Sequence, residues 1–142
     1  MRQLLLILFF TIFSSQTQES SFKVTYLLLS EPIQPYEKLW QAVCQVESGG
    51  NPLAVGDKHL NGYSYGIAQI RESRLKDYNR RTSSNYSVVD LFDAEVSREI
   101  FMYYAVPDFE TTCRLWNGGR NGMNKKSTLK YWEAVSALLQ NR

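Results

Sequence analysis

The stretch "CQVESGGNP" (residues 44–52) decides how the first structured part of this chain folds, because it joins an apolar stripe to a pair of glycines. Upstream of the glycines, apolar residues recur every three or four positions, which is the spacing of one helix face. They are Leu39, Trp40, Val43 and Val46. A helix is therefore predicted from residue 36 to about residue 47, ended by a left-handed glycine. Glu47 then stands at a helix end, beside an apolar surface.

The overall composition is that of one compact domain. The chain has 142 residues, of which 44% are apolar and 13% aromatic, enough to build a core. Its 16 Lys and Arg residues against 14 Asp and Glu residues leave it nearly neutral. The nearest approach to a basic patch, Lys125 and Lys126, is more simply a solvated loop. We therefore expect no nucleic-acid partner.

The N-terminal stretch has the pattern of a secretory signal. Arg2 precedes "LLLILFFTIF" (residues 4–13), an apolar run too short to span a bilayer but suited to the central region of a signal peptide. An uncleaved anchor would need a longer run. We expect residues 1–16 to be removed, at a site the sequence leaves open, and the protein to be exported to the periplasm or the extracellular space. Residues 17–34 are interpreted as a leader or N-terminal arm.

The rest of the chain, residues 35–142, is predicted to form a single small domain of mainly α-helical structure. Its glycine-rich middle, residues 53–66, is predicted as a loop or a short hairpin. Further helices are predicted for residues 73–80, from an N-cap at Asp93 to Tyr104, for residues 110–117, and after a cap at Ser127 or Thr128.

Metal-binding residue types are scarce. Cys44 and Cys113 are the two cysteines of the chain, and His59 is its single histidine. This set is too small for a zinc site of the usual ligand count, so we expect neither a metal nor another cofactor. An oxidising compartment would allow the two cysteines to pair.

Five short segments, taken together, resemble one known family. They are "ESGGNPLAV", "YGIAQI", "DAEVSREIFMYY", "RLWNGG" and "YWEAV", and their order is similar to that of the soluble lytic transglycosylases. The resemblance covers residues 36–138 and implies the lysozyme-like α+β fold. The residues that match the family pattern are Glu47, Ser48, Asn51, Pro52, Gly66, Gln69, Ile70, Asp93, Trp116, Asn117, Gly118, Tyr131 and Val135.

The resemblance also implies roles for individual residues. Glu47 matches the family's catalytic acid, and Gln69 and Asn117 match polar residues that line the sugar-binding cleft. Tyr131 matches a tyrosine near the catalytic glutamate. Ser48 would tie the end of the catalytic helix to the following loop, close to the substrate.

Two aromatic residues complete the implied cleft. Tyr104 falls where the family often has a tyrosine in its middle helix, and Trp116 replaces the usual tyrosine, which keeps an aromatic wall without the hydroxyl. Gly56 stands where many members have serine, and the loop between residues 55 and 66 is longer than usual. Trp40 and Trp132 are expected to pack in the core.

Glu47 also has the chemistry that this activity needs. Breaking a glycosidic bond requires a proton for a poor leaving oxygen, so the acid must stay protonated near neutral pH. Apolar neighbours disfavour the charged form of a glutamate and raise its pKa, and Trp40 and Val43 lie on the same side of the helix. The sequence therefore predicts a general acid at Glu47.

The expected reaction is cleavage of the β-1,4 bond between N-acetylmuramic acid and N-acetylglucosamine in peptidoglycan. A hydrolase of the usual kind needs a second carboxylate, and Asp57 is the one loop candidate, with nothing in its spacing to single it out. The family resembled manages with one glutamate, which implies 1,6-anhydromuropeptides as products. A lysozyme-type muramidase and a non-catalytic glycan- or partner-binding module are the alternatives.

The resemblance implies peptidoglycan strands as the principal partner. A second partner from a secretion or cell-wall machinery is left open, and the protein is expected to be a monomer. A disulfide between Cys44 and Cys113 is also predicted. If both helices end at one cleft, a rise of about 1.5 Å per residue puts the two sulfurs at similar depth behind it. Two buried free thiols are the alternative.

Overall fold

The structure, a computed structural model, describes residues 34–58 and 62–140 of the chain. The predicted signal peptide, and the predicted N-terminal arm apart from residue 34, lie outside the described residues. Within those two ranges, none of the helices combines the length and the apolar character needed to cross a membrane.

Helices dominate the described part of the chain. They are α1 (Gln34–Ser48), α2 (Glu72–Thr82), α3 (Ala94–Tyr104), α4 (Phe109–Gly118) and α5 (Lys126–Gln140). Short 3-10 helices, Val89–Phe92 and Gly119–Asn124, precede α3 and α5. Three two-residue strands, β1 (Val55–Gly56), β2 (Ser64–Tyr65) and β3 (Ile70–Arg71), lie between α1 and α2. The predicted class, mainly α with a small β region, is confirmed.

The start of α3 follows from one side chain. Asp93 has an extended backbone, and its carboxylate accepts a hydrogen bond of 2.8 Å from the backbone nitrogen of Glu95. This bond satisfies an amide that has no partner within the helix, so Asp93 is the N-cap that the sequence predicts. Asp108 does the same for α4, with a bond of 2.8 Å from the nitrogen of Thr111.

The start of α5 is different from the prediction. The helix begins at Lys126, so the expected cap at Ser127 or Thr128 is wrong. Thr128 lies inside the first turn and is fully buried. Its hydroxyl donates to the carbonyl oxygens of Gly122 and Lys125, at 2.5 and 2.8 Å. The side chain thus fastens the preceding 3-10 helix to α5 instead of capping a helix nitrogen.

The glycine-rich middle is a small antiparallel sheet in the order β1-β2-β3. Val55 lies opposite Tyr65 in the first pair of strands, and Ser64 lies opposite Arg71 in the second. Strands β1 and β2 form the short hairpin predicted within residues 53–66, and β3, which lies beyond that range, adds a third strand. Between β2 and β3 the chain turns through Gln69, whose φ of 51° is in the left-handed region. A non-glycine residue there needs support from its surroundings.

The apolar core is built from the helices and the inner side of the sheet. Trp40 of α1 packs against Phe101 of α3 with ring centroids 5.4 Å apart, and Phe101 in turn meets Trp116 of α4 at 5.0 Å. Trp40 is buried and Trp132 is partly buried against the same cluster, as predicted. These ring contacts hold α1, α3 and α4 together, and Trp40 lies on α1 about two turns before Glu47.

Both cysteines are buried free thiols, so the predicted disulfide is absent. Burial raises the pKa of Cys44 and that of Cys113 to about 12, which keeps both thiols protonated at neutral pH. Equal depth along two helices says nothing about their lateral separation, and a disulfide needs Cα atoms about 4.4 to 6.8 Å apart. Two cysteines at similar depth therefore need not be close enough to pair.

Candidate active site

A cleft of about 570 Å³ opens at the C-terminal end of α1. It is bounded by that helix end, by the sheet, by the first turn of α2 and by the last turn of α4. Four of the predicted site residues line it: Glu47, Gln69, Trp116 and Asn117. The lining also includes side chains that were not among the predicted site residues: Asp57, Ser64, Arg71, Ser73, Arg74 and Lys125.

The end of α1 places Glu47 at the cleft. Gly49 and Gly50 have φ values of 65° and 80°, and their nitrogens donate to the carbonyl oxygens of Gln45 and Cys44. This is the glycine-dependent helix ending that the sequence predicts. Ser48 donates from its hydroxyl to the carbonyl oxygen of Ile67 at 2.8 Å, which ties the helix end to the turn before β3. Ser48 does not line the cleft, and its contact with substrate stays a prediction.

The carboxyl group of Glu47 is largely enclosed and makes one strong contact. Tyr131 of α5 donates a hydrogen bond of 2.8 Å from its hydroxyl to Oε1 of Glu47. Burial raises the pKa of Glu47 to about 7, against the opposing effects of the Tyr131 hydrogen bond and the positive charge of Arg74. At neutral pH a large share of the molecules therefore has Glu47 in the protonated form that can donate a proton.

Asp57 brings a second carboxyl group to the same cleft. It follows β1 directly and has a left-handed backbone, with φ of 56°. Its Oδ2 pairs with Nη2 of Arg71 at 2.7 Å, and about a third of the side chain (31%) is exposed. The negative charge of Asp57 is one of the influences that raise the pKa of Glu47. Sequence spacing did not reveal this residue, because its place depends on the pairing of β1, β2 and β3.

Gln69 lines the cleft but uses its side chain to hold the sheet. Its Oε1 accepts from the hydroxyl of Ser64 at 2.7 Å, and its Nε2 donates to the carbonyl oxygens of Ala54 and Gly66 at 3.3 and 2.9 Å. A Cβ atom added to Gly56 would lie 2.0 Å from that Oε1, so the amide fills the space that a side chain would take. The predicted contact between Gln69 and substrate stays a prediction.

Trp116 and Asn117 come from the last turn of α4. The indole of Trp116 is buried and forms part of the wall, whereas Asn117 is exposed to the cleft. Arg74 of α2 lies over the indole, with its guanidinium carbon 4.1 Å from the ring centroid. From Nη2 it also donates to the carbonyl oxygens of Leu115 and Trp116, at 3.3 and 2.8 Å. It therefore gives a side-chain partner to the carbonyl of Trp116 at the end of α4, and a second partner to that of Leu115, which already accepts from the backbone nitrogen of Gly119.

Arg74 was not predicted, and no local signal marks it. The segment around it is strongly polar, which is typical of a solvated helix, and its burial depends on Trp116, 42 residues further along the chain. Burial lowers the pKa of Arg74. The guanidinium remains charged, since even a lowered arginine pKa is far above neutral pH.

Tyr104 does not line the cleft of Glu47. It lies on the far side of Arg74, whose guanidinium carbon is 5.6 Å from the tyrosine ring centroid. Its hydroxyl donates to Oδ2 of Asp77 at 2.8 Å, and burial raises its pKa to about 12. The structure thus brings Glu47, Gln69, Trp116, Asn117 and Tyr131 together and leaves Ser48 and Tyr104 beside the cleft.

The fold and the cleft define a class of protein. A small helical domain, a short sheet and an enclosed protonatable glutamate at a helix end are the parts of a lysozyme-like glycosidase. A lysozyme of Magallana gigas is 31% identical to the chain over 104 residues, which cover 67% of this chain and 74% of that protein. The chain therefore belongs to the lysozyme family, enzymes that cleave glycosidic bonds of peptidoglycan.

A solved structure agrees with the fold. A chain in the crystal structure of Aeromonas hydrophila PliI in complex with Meretrix lusoria lysozyme superimposes with a TM-score of 0.59. The match covers 69% of this chain and 85% of that one at 21% identity, so it bears on the fold alone. No family model matches the sequence.

Proposed function

We propose that the protein is a muramidase that hydrolyses the β-1,4 bond between N-acetylmuramic acid and N-acetylglucosamine, with Glu47 as the general acid. The observation that carries this proposal is that an enclosed glutamate, its pKa raised to about 7, shares a cleft with a second carboxyl group, that of Asp57. Glycosidases use two such groups in different environments, one to donate a proton and one to assist the sugar carbon.

The proton transfer follows from the contacts of Glu47. In its protonated form it donates to the leaving oxygen of the bond, and the carboxylate that remains needs stabilisation. Tyr131 supplies a hydrogen bond to Oε1, and the positive charge of Arg74 favours the ionised form. Both groups are in place before the reaction, so little reorganisation is needed when the charge develops.

Asp57 is proposed to assist the sugar carbon or the attacking water. The family resemblance implies a single-acid reaction, and the spacing of Asp57 did not single it out as a second acid, but Asp57 lines the cleft of Glu47. The ion pair with Arg71 restrains its carboxylate and leaves Oδ1 for the substrate or for water. This arrangement favours hydrolysis over internal ring closure.

Formation of 1,6-anhydromuropeptides is the second candidate, and one observation favours it. Asp57 has an ion-pair partner, whereas Glu47 has none among the described residues. If the ion pair with Arg71 prevents Asp57 from assisting the reaction, Glu47 must act first as acid and then as base toward the 6-hydroxyl of the muramic acid. No second carboxylate is then required.

Mass spectrometry of the products from purified sacculi tests the proposal. Hydrolysis gives muramic acid with a reducing end, and ring closure gives a product one water lighter. We expect reducing ends from the wild-type protein and their loss in Asp57→Asn. Anhydro products as the main species from the wild type would instead establish the transglycosylase reaction that the sequence resemblance implies. Binding to sacculi without any cleavage would support the non-catalytic module.

Location and assembly complete the proposal. Peptidoglycan lies outside the cytoplasmic membrane, so the enzyme acts in the periplasm or the extracellular space, as the N-terminal apolar run predicts. The protein is proposed to act as a monomer on glycan strands. Immunodetection in fractionated cells, with and without deletion of residues 1–16, checks the export.

A further inference from the structure

A second cleft, of about 560 Å³, adjoins the catalytic one. The two share Ser73, Arg74, Trp116 and Gly119, so Arg74 and the indole beneath it form a common wall. The second cleft continues past this wall between α2, the end of α3 and the end of α4. A group attached to a sugar in the first cleft can therefore extend into the second.

The second cleft has an excess of positive charge. Arg74, Arg81 and Arg120 line it, together with one carboxylate, Asp77. That carboxylate is already satisfied, because it contacts Arg80, accepts from Nε of Arg81 at 2.7 Å and accepts from the hydroxyl of Tyr104. Its charge is therefore matched by neighbouring arginines and leaves the other cations in the cleft unpaired.

Arg74 and Arg120 are those cations. Neither forms an ion pair with any carboxylate in the ranges that the structure covers. Arg74 donates to backbone carbonyls, and Arg120 is exposed at the mouth of the cleft. When Glu47 is protonated and ready to react, the cleft wall also lacks the negative charge that would otherwise lie near Arg74. An anion bound here would compensate both guanidinium groups.

The remaining walls are apolar and aromatic. Tyr103 is 46% exposed beside Tyr104, and Val106 and Leu115 complete the inner surface. A small aliphatic group with an acidic end fits this lining, since apolar walls enclose its methyl groups and the arginines take its carboxylate.

We propose that the second cleft binds the peptide stem of peptidoglycan through a free carboxylate of that peptide. This inference rests on the proposed function. The stem is attached to the lactyl group of N-acetylmuramic acid, the sugar whose bond is cut, so it leaves the catalytic cleft close to Glu47. Stems contain small aliphatic residues and free carboxylates, which complement the apolar walls and the unpaired arginines of the second cleft. The enzyme therefore selects strands that have peptides over bare glycan.

Kinetics on two substrates test the selection. Glycan strands of equal length are compared with stems intact and after amidase removal of the stems. Arg120→Gln is expected to lower kcat/KM about tenfold on intact strands, the size of one lost charged hydrogen bond, and to leave stripped strands unchanged. Lys130→Gln, an exposed residue of α5 that lines neither cleft, controls for the charge and is expected to change neither value. Equal losses on both substrates, or no loss on either, would overturn the inference.

A binding measurement separates this inference from the catalytic proposal. A muropeptide with free stem carboxylates and the same compound with those carboxylates amidated are titrated by calorimetry into the Glu47→Gln protein. We expect the free acid to bind about tenfold more tightly and Arg120→Gln, in the same background, to remove the difference. If the two probes bind equally while the wild type cleaves sacculi, the stem site is refuted and the muramidase proposal stands. If the free acid binds more tightly but the wild type does not cleave sacculi, the stem site stands and the muramidase proposal is refuted.

Discussion

The two walls of the catalytic cleft are built in different ways. The helical wall presents Glu47, which is enclosed and bonded to the neutral hydroxyl of Tyr131. The sheet wall presents Asp57, which is partly exposed and paired with Arg71. One carboxyl group is thus held where its neutral form is favoured and the other where a cation restrains it. The surroundings of the two carboxyl groups thus suit one to donate a proton and the other to act as a carboxylate. Substitutions in each wall test whether this difference matters for activity.

The largest effect is expected at the helical wall. Glu47→Gln keeps the size of the side chain and an oxygen for Tyr131, but its amide has no acidic proton to transfer to the leaving oxygen. Activity on sacculi is expected to fall about 10³-fold, within the factor of 10² to 10⁴ that general acid catalysis contributes. Turbidity loss of sacculi measures it. Glu133→Gln, at an exposed glutamate of α5, is the matched control and is expected to retain full activity.

The sheet wall comes next. Asp57→Asn is expected to lower kcat about 10²-fold, the usual cost of removing one electrostatic contact to a developing charge. Arg71→Gln removes the same ion pair but keeps the carboxylate, so its effect is expected to be smaller. Initial rates on sacculi compare the two. Equal losses would mean that Asp57 matters through its ion pair alone.

Packing within the sheet wall gives an effect on stability. Gly56→Ala puts a methyl group against the amide of Gln69 and is expected to lower the free energy of unfolding by about 1–3 kcal/mol. Urea denaturation measures the change. In a Gln69→Ala background the cost is expected to shrink, since the principal clash is gone, and Ser64 accounts for what remains. If Gly56→Ala lowers the free energy of unfolding equally in both backgrounds, the loss of stability does not come from a clash with Gln69.

The smallest change is a shift in pH dependence. Glu47 is active as the protonated acid, so kcat/KM is expected to fall as pH rises through about 7. The Tyr131 hydrogen bond lowers the pKa of Glu47, and Tyr131→Phe removes it, so the falling limb is expected to move to higher pH. A shift of up to about one unit corresponds to one hydrogen bond. If the pH at which kcat/KM falls stays the same or decreases in Tyr131→Phe, the Tyr131 hydrogen bond does not lower the pKa of Glu47.

Local signals were sufficient for most of the helical wall. Apolar spacing and the glycine pair located the end of α1 and with it Glu47, and an aspartate before an apolar run located the start of α3. The sheet wall could not be predicted in the same way. Strands of two residues are too short for an alternating pattern, so Asp57 had no signal. Arg74 could not be predicted for another reason: in a polar helix, the sequence does not distinguish a partly buried arginine from a solvated one.

Tyr104 shows the limit of a resemblance. A tyrosine in the expected part of α3 is present, but its hydroxyl turns to Asp77 and its ring lies beyond Arg74. A residue type that matches the family pattern therefore does not ensure the same contact with substrate. Here Arg74, which separates the two clefts, keeps Tyr104 out of the catalytic one.

The two unpaired cysteines have a practical consequence for anyone who handles the protein. Since no covalent cross-link holds the domain, dithiothreitol is not expected to inactivate it, and cytoplasmic expression needs no oxidative refolding. Cys44 and Cys113 are both in the core and keep their protons at neutral pH. Their rate of labelling by a maleimide dye therefore reports how often the interior opens. The two native cysteines can therefore report the rate of opening without any engineered probe.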